Sequence, residues 1–157
     1  KAVYTETRRV WKWGRSRRMA KYIDDIMAKI RELSEVPPQR VVEEVALPDF
    51  DEGQKMPYIA VVFGTPGHIS QATSIVSQLN DGYRVFFLCH VRALTAQHAR
   101  EIGERILWGL VGFEPDNSGG ITVHGGQGLN YAGTNHKVVQ CGYELYCSFI
   151  TNLKNRI

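Results

Sequence analysis

The side chains able to bind a metal or attack a substrate are few, and their spacing keeps them apart. Histidines stand at positions 68, 90, 98, 124 and 136, and no two have the i,i+4 spacing of a helical zinc site. Cys141 and Cys147 share one face of a strand-like segment, yet at ~3.3 Å per residue they are about 20 Å apart and cannot hold one ion. With Cys89 they make an odd set of three, which fits free core thiols in a reducing compartment better than a disulfide framework. The carboxylate pairs Asp24-Asp25 and Glu43-Glu44 are adjacent in sequence, so on a helix or strand they diverge and form no acid–base pair. Asp49, Asp51 and Glu52 read as a solvated acidic loop. No Gly-x-Ser-x-Gly elbow and no Gly-Lys-Ser/Thr phosphate loop occurs. Gly126-Gln127-Gly128 opens a dinucleotide fingerprint, but Tyr131 stands where its third glycine belongs and no helix follows. The expectation is a chain without catalytic residues, metal or cofactor.

Two features keep other readings open. Gly125-Gly126-Gln127 is similar to the tripeptide of peptide-release factors and peptidyl-tRNA hydrolases, whose glutamine orients a water for ester hydrolysis. In those proteins it precedes the bulk of the catalytic domain, whereas here it lies near the C-terminal end, where an assembly-ordered glycine loop is the simpler reading. The second feature is charge. Residues 1–21 carry eight basic side chains against Glu6, a net +7, while the rest has 11 basic and 15 acidic side chains, a net −4. A basic arm thus leads a mildly acidic body, and it suits nucleic acid or an acidic protein surface equally. Trp11 and Trp13 among arginines resemble a stacking platform for single-stranded nucleic acid.

The elements that must position these residues can be read from periodicity. Residues 1–18 show no period and read as an extended arm. From Met19 to Ser34, Ile23, Ile26, Met27, Ile30 and Leu33 recur at helical spacing, and Pro37-Pro38 ends the helix. Arg40 to Leu47 reads as a half-exposed strand, Pro48 to Pro57 as a loop, and Tyr58 to Phe63, the longest apolar run, as a central strand. That run is far below the ~18 residues of a membrane span. No charged start with an apolar stretch behind it marks a secretory signal within these residues.

Gln71 to Leu79 is ambiguous, with strand preferred because Asn80-Asp81-Gly82 is a hairpin turn. In the following strand, Tyr83 to Arg92, Val85, Phe87, Cys89 and Val91 alternate onto one face, which places His90 on the less apolar face, at an interface. Thr95 caps a helix to Val111 whose stripe is Ala99, Ile102, Ile106 and Leu110. His98 lies on its solvated surface, Gly103 implies close packing on a sheet, and Gly112 ends it. Asn117 to His136 holds six glycines and reads as a loop with one short strand at Ile121-Thr122-Val123. Val138 to Ile150 is the clearest strand, with Val139, Cys141, Tyr143, Leu145, Cys147 and Phe149 on one face and Gln140, Glu144 and Ser148 on the other.

This order predicts one α+β domain over residues 19–150. Its mostly antiparallel sheet of about five to six strands carries two helices on one face, with the basic arm (1–18) before it and a polar tail (151–157) after it. The other sheet face, bearing Arg84, Gln140 and Glu144, then meets water or a partner. At 157 residues, 43% hydrophobic and 22% charged, the chain has the length and composition of a soluble globular domain.

One combination resembles a known family. The strand Arg84-Val85-Phe86-Phe87-Leu88-Cys89-His90-Val91-Arg92-Ala93-Leu94 is followed by Thr95-Ala96-Gln97-His98-Ala99-Arg100, and the helix exits through Leu110-Val111-Gly112-Phe113-Glu114-Pro115. Over roughly Met19 to Ile150 this layout is similar to the tail terminator, or tail completion, proteins of long-tailed bacteriophages. The long basic arm departs from it. The resemblance implies a structural virion protein of the tail and neck, assembled in the bacterial host cytoplasm. Such proteins form a ring, usually hexameric, that ends tail-tube polymerisation. The implied partners are further copies of the chain, the tail tube protein, the head–tail connector or neck protein, and phage DNA in passing, with no membrane and no cofactor. Interface candidates are Arg8, Arg9, Trp11, Lys12, Trp13, Arg15, Arg17 and Arg18 of the arm, with Gln140 and Glu144 of the polar sheet face.

Overall fold

In the computed structural model, the structure describes residues 21–49, 51, 53–68, 82–132 and 138–152. The arm, the strand expected at Gln71 to Leu79 and residues 153–157 lie outside the described residues. Helix α1 spans Lys21–Ser34, followed by a short 3-10 turn (Pro38–Arg40), β1 (Val41–Glu44), β2 (Tyr58–Phe63), a two-residue β3 (Gly67–His68) and β4 (Gly82–Ala93). Helix α2 is Ala96–Leu110, and β5 (Thr122–Ala132) and β6 (Val138–Asn152) complete the order. The strands form one six-stranded sheet in the order β1-β2-β4-β6-β5, with β3 paired to β4 off this path. All pairings are antiparallel except β1 with β2. The fold is α+β, with both helices on one face.

The helices form where the periodicity places them. In α1, Ile26, Met27 and Ile30 are buried, together with Tyr22, while Ile23 and Leu33 are half-buried against the core. Glu35 takes a left-handed φ of 58° after the last turn, and Arg105 of α2 donates to the Ser34 carbonyl at 2.9 Å, satisfying one of the helix's terminal acceptors. In α2, the Thr95 hydroxyl accepts from the His98 N–H at 3.2 Å. Gly112 ends the helix with a φ of +81° that L side chains rarely adopt. Ala99, Ile102, Ile106 and Leu110 are buried as the stripe requires, and His98 is exposed. A Cβ on Gly103 would collide with the Tyr143 ring of β6, so the missing side chain is what lets α2 lie close to the sheet. Gly109 does the same against Leu33, where the two helices meet.

The core lies between the helices and the sheet. Val85, Phe87, Cys89 and Val91 of β4 meet Leu145, Cys147 and Phe149 of β6, with Ile59 and Val61 of β2 beside them. Tyr22, Phe87 and Phe149 pack edge to face, with ring centroids 5.3 Å (Tyr22–Phe149) and 6.1 Å (Phe87–Phe149) apart. Each fully buried Ile or Leu here contributes about 1.5–3 kcal/mol. All three cysteines are free and buried, and burial pushes the Cys147 thiol up to about 12.

Two expectations are overturned. The glycine-rich segment is not a loop with one short strand: β5 runs for 11 residues through it and pairs with β6 from Thr122↔Ser148 to Ala132↔Val138. The outer edge of β6 carries a long row of backbone donors and acceptors, and a backbone without side chains satisfies them as well as any other. The segment adapts through a bulge between Val123 and Gly125, where Gly125 has a φ of +124°. The second correction concerns β6, which continues two residues past Ile150 to Asn152, so Thr151 and Asn152 belong to the sheet rather than to a tail.

Candidate functional site

The sheet face opposite the helices divides into two halves of different chemistry. Toward the β4–α2 end, Pro48, Asp49 and Asp51 of the connection between β1 and β2 lie over it. Arg92 donates from Nη2 to the Pro48 carbonyl at 2.8 Å and from Nη1 to the Asp49 carbonyl at 3.4 Å, and Gln140 Nε2 donates to the Asp51 carbonyl at 2.9 Å. Under this cover begins a polar chain that runs out to the exposed Tyr146 and Gln127. Arg92 Nε donates to His90 Nε2 at 3.0 Å, and His90 Nδ1 stands 3.3 Å from Glu144 Oε1. Tyr146 donates its hydroxyl proton to Glu144 Oε2 at 2.7 Å, and Gln127 Nε2 reaches the same hydroxyl at 3.5 Å.

Because Nε2 accepts from arginine, His90 carries its proton on Nδ1, facing the carboxylate. His90 is wholly buried, and loss of water, with repulsion from Arg92, holds its pKa down at about 4 against the pull of Glu144. The imidazole is therefore neutral at pH 7. The hydrogen bond to Glu144 is the largest cause of the upward shift of the Tyr146 phenol.

The polar face was expected to meet water or a partner. Instead Gln140 and Glu144 are buried, at 2% and 4% exposure, and their contacts are made within the chain. His90, expected at an interface, is buried with them. The reason is not local: Arg92 and its loop acceptors are more than 40 residues apart in sequence. The network has the residue types of an acid–base site without an accessible reacting atom beside His90. Among the described residues, no group of three or more His, Cys, Asp or Glu could hold a metal ion. Gln127 sits on a strand edge with its amide toward Tyr146, and no described serine or cysteine nucleophile lies against the His90–Glu144 pair.

The other half of the same face is apolar and open. Phe86 and Ile150 are 54% and 42% exposed, and Tyr146 is 41% exposed. They are cross-strand or diagonal neighbours, since Phe86 pairs with Ser148, Arg84 with Ile150 and Leu88 with Tyr146. Arg84 holds its guanidinium 6.0 Å from the Phe86 ring centroid, and His124 flanks the same ring at 6.0 Å. Beyond Ile150 the strip meets a concavity of about 650 Å³ bounded by the 114–119 turn. Sequence reasoning did not single out Phe86, Tyr146 or Ile150. Their signal was present: each is a large apolar residue at a position whose alternation points away from the core. Trp108, 75% exposed on the outer side of α2, is a further exposed large apolar residue.

A contiguous strip of large apolar side chains with an arginine at its edge has the composition of a protein–protein contact. No family model matches the chain, and no curated protein matches it either. A chain in the solved "Virion of native gene transfer agent (GTA) particle" is similar in structure, with a TM-score of 0.51 and 13% sequence identity. The two chains share a fold. The likeness covers 80% of this chain and 93% of that one. The arm candidates Arg8, Arg9, Trp11, Lys12, Trp13, Arg15, Arg17 and Arg18 lie outside the described residues, so the strip is the candidate surface on the described body. No helix among the described residues is long and apolar enough to cross a membrane.

Proposed function

We propose that the chain is a structural virion protein that forms a ring of six copies at the end of a phage-like tail tube, where it stops tube growth and receives the head–tail connector. The observation that carries this reading is the fold shared with a virion chain over nearly all of that chain's length. The open apolar strip of Phe86, Tyr146 and Ile150 supports it, since a subunit that lives in an assembly keeps such a surface for its neighbours. A closed ring needs a heterologous contact, one patch meeting a different one, and the apolar strip supplies one such patch. Stopping a tube needs a ring that fits the tube below and rejects a further copy above. A +7 leader on a −4 body gives the subunit two regions of unlike charge, so that one partner need not resemble the next.

The test is the mass of the assembled species. Native mass spectrometry of the protein with tail-tube subunits should show a ring, and Phe86→Glu with Ile150→Glu should abolish it while the melting temperature barely moves. A strict dimer in the assembled particle contradicts the reading.

A further inference from the structure

The outer edge of β5 is long. Among the described residues no strand pairs with it, since the sheet order ends at β5. Its 11 residues, TVHGGQGLNYA, contain no proline, lysine or carboxylate, the residues that ordinarily blunt a sheet edge. The opposite edge, β1, is four residues long and ends in Glu43-Glu44.

The glycines of β5 add a shape. Gly126 and Gly128 stand opposite Leu145 and Tyr143, whose side chains face the helices. At Gly126 a Cβ would collide with the Glu144 carbonyl, so glycine is required there. At Gly128 nothing requires it: the nearest atom to an added Cβ is the Gly142 carbonyl oxygen at 3.7 Å. Beside Gly128 a groove of about 360 Å³ opens between β5 and the first turns of α2, lined by Ala96, Arg100, Gly128, Cys141 and Tyr143. A glycine on a sheet edge beside a groove is a place for an aromatic ring from an added strand to lie flat.

The chain carries such rings. Trp11 and Trp13 are two residues apart, the spacing that puts both on one face of an extended segment. Val3, Tyr4, Thr5, Thr7 and Val10 around them are β-favouring types. The arm's positive charge suits the −4 body, where Glu101 and Glu104 are exposed within about a turn of Arg100. Reach and path favour an arm from another copy. Helix α1 begins beside Phe149, because Tyr22 packs on that ring, and Tyr143 is about 20 Å away along β6 at ~3.3 Å per residue. Eight residues separate Trp13 from Lys21, at most about 29 Å fully stretched. Helix α2 lies over β4 and β6 and stands between α1 and β5. The chain's own arm would have to spend part of its about 29 Å crossing that helix, and an arm from a neighbouring subunit has no such detour.

We propose that the N-terminal arm of a neighbouring copy adds to the β5 edge as an extra strand, with Trp11 and Trp13 over Gly126 and Gly128 and one indole in the Arg100–Tyr143 groove. This names the contact that closes the ring, and it rests on the ring reading above.

The test uses two full-length variants in a Cys141→Ser background, one carrying Trp13→Cys and the other Asn130→Cys, mixed, assembled and mildly oxidised. Cys89 and Cys147 are buried and do not compete. The expected result is a covalent pair made of one copy of each variant. Gly128→Val, whose Cβ meets nothing closer than 3.7 Å in the subunit, should weaken association at least tenfold and leave the indole emission of Trp11 and Trp13 at its solvent-exposed wavelength. Rings without the mixed disulfide overturn the arm contact and leave the ring reading standing. A disulfide formed only when both cysteines are in one chain also overturns it, by returning the arm to its own subunit. Absence of rings in native mass spectra removes the ring reading and this contact with it.

Discussion

His90 and Glu144 occupy strand positions that alternation sends away from the core, yet both are buried, because Arg92 and Gln140 tie the β1–β2 connection down over them. A pH dependence follows. In the unfolded chain histidine titrates near 6.5, whereas in the fold it is held down to about 4. Between those values the unfolded state binds the extra proton, so stability is fully present above pH ~6.5 and is lost as pH falls toward 4. At 1.36 kcal/mol per unit the loss is at most about 3 kcal/mol. Urea unfolding at pH 7, 5.5 and 4.5 measures it, and His90→Gln should flatten the profile in that window. A wild-type profile as flat as the variant's would show that the imidazole is not desolvated. Gly103→Leu tests close packing at a second position: forcing a side chain against Tyr143 should cost about 1–3 kcal/mol. An unchanged melting temperature would place that face of α2 in solvent.

At the scale of elements, legibility tracked how far a signal depends on neighbours in sequence. Both helices carry their own stripe and stop, and α2 its own cap, so Thr95, Gly112 and the buried isoleucines were readable without the fold. The two long core strands alternate because one face of each meets the helices. Strand β5 has no such pattern, since three of its residues are glycine, and only the unpaired edge of β6 explains why it is a strand. The open apolar strip was half legible. Phe86, Tyr146 and Ile150 sit in outward positions, but which outward positions the β1–β2 connection covers is decided by contacts more than 40 residues apart. The Gly-Gly-Gln tripeptide separates backbone from side-chain effects. Gly126→Ala should destabilise by about 1–3 kcal/mol, because its Cβ meets backbone that cannot rotate away. Gln127→Ala, on an exposed position, should shift stability by no more than about 0.5 kcal/mol and leave assembly nearly normal. Loss of peptidyl-tRNA hydrolysis in Gln127→Ala would promote the enzymatic alternative instead.

Among the described residues the molecule is a covered core with an exposed apolar strip and a sheet edge that no other strand pairs, and its sequence opens with a charged leader. Folding and assembly should therefore separate. Deleting residues 1–18 should leave the stability of the body within ~1 kcal/mol, since the apolar periodicity begins only at Met19. A chain that no longer folds would show that Trp11 or Trp13 belongs to the core. If the arm instead serves nucleic acid, binding of a single-stranded oligonucleotide should fall steeply as salt rises. The central claim, that this chain ends a phage-like tail and joins it to the head, is met most directly by electron microscopy of particles produced with its gene removed. The account predicts overgrown tubes or tails detached from heads, restored by the wild-type chain and not by Phe86→Glu with Ile150→Glu. Tails of normal length joined to full heads in its absence would contradict it.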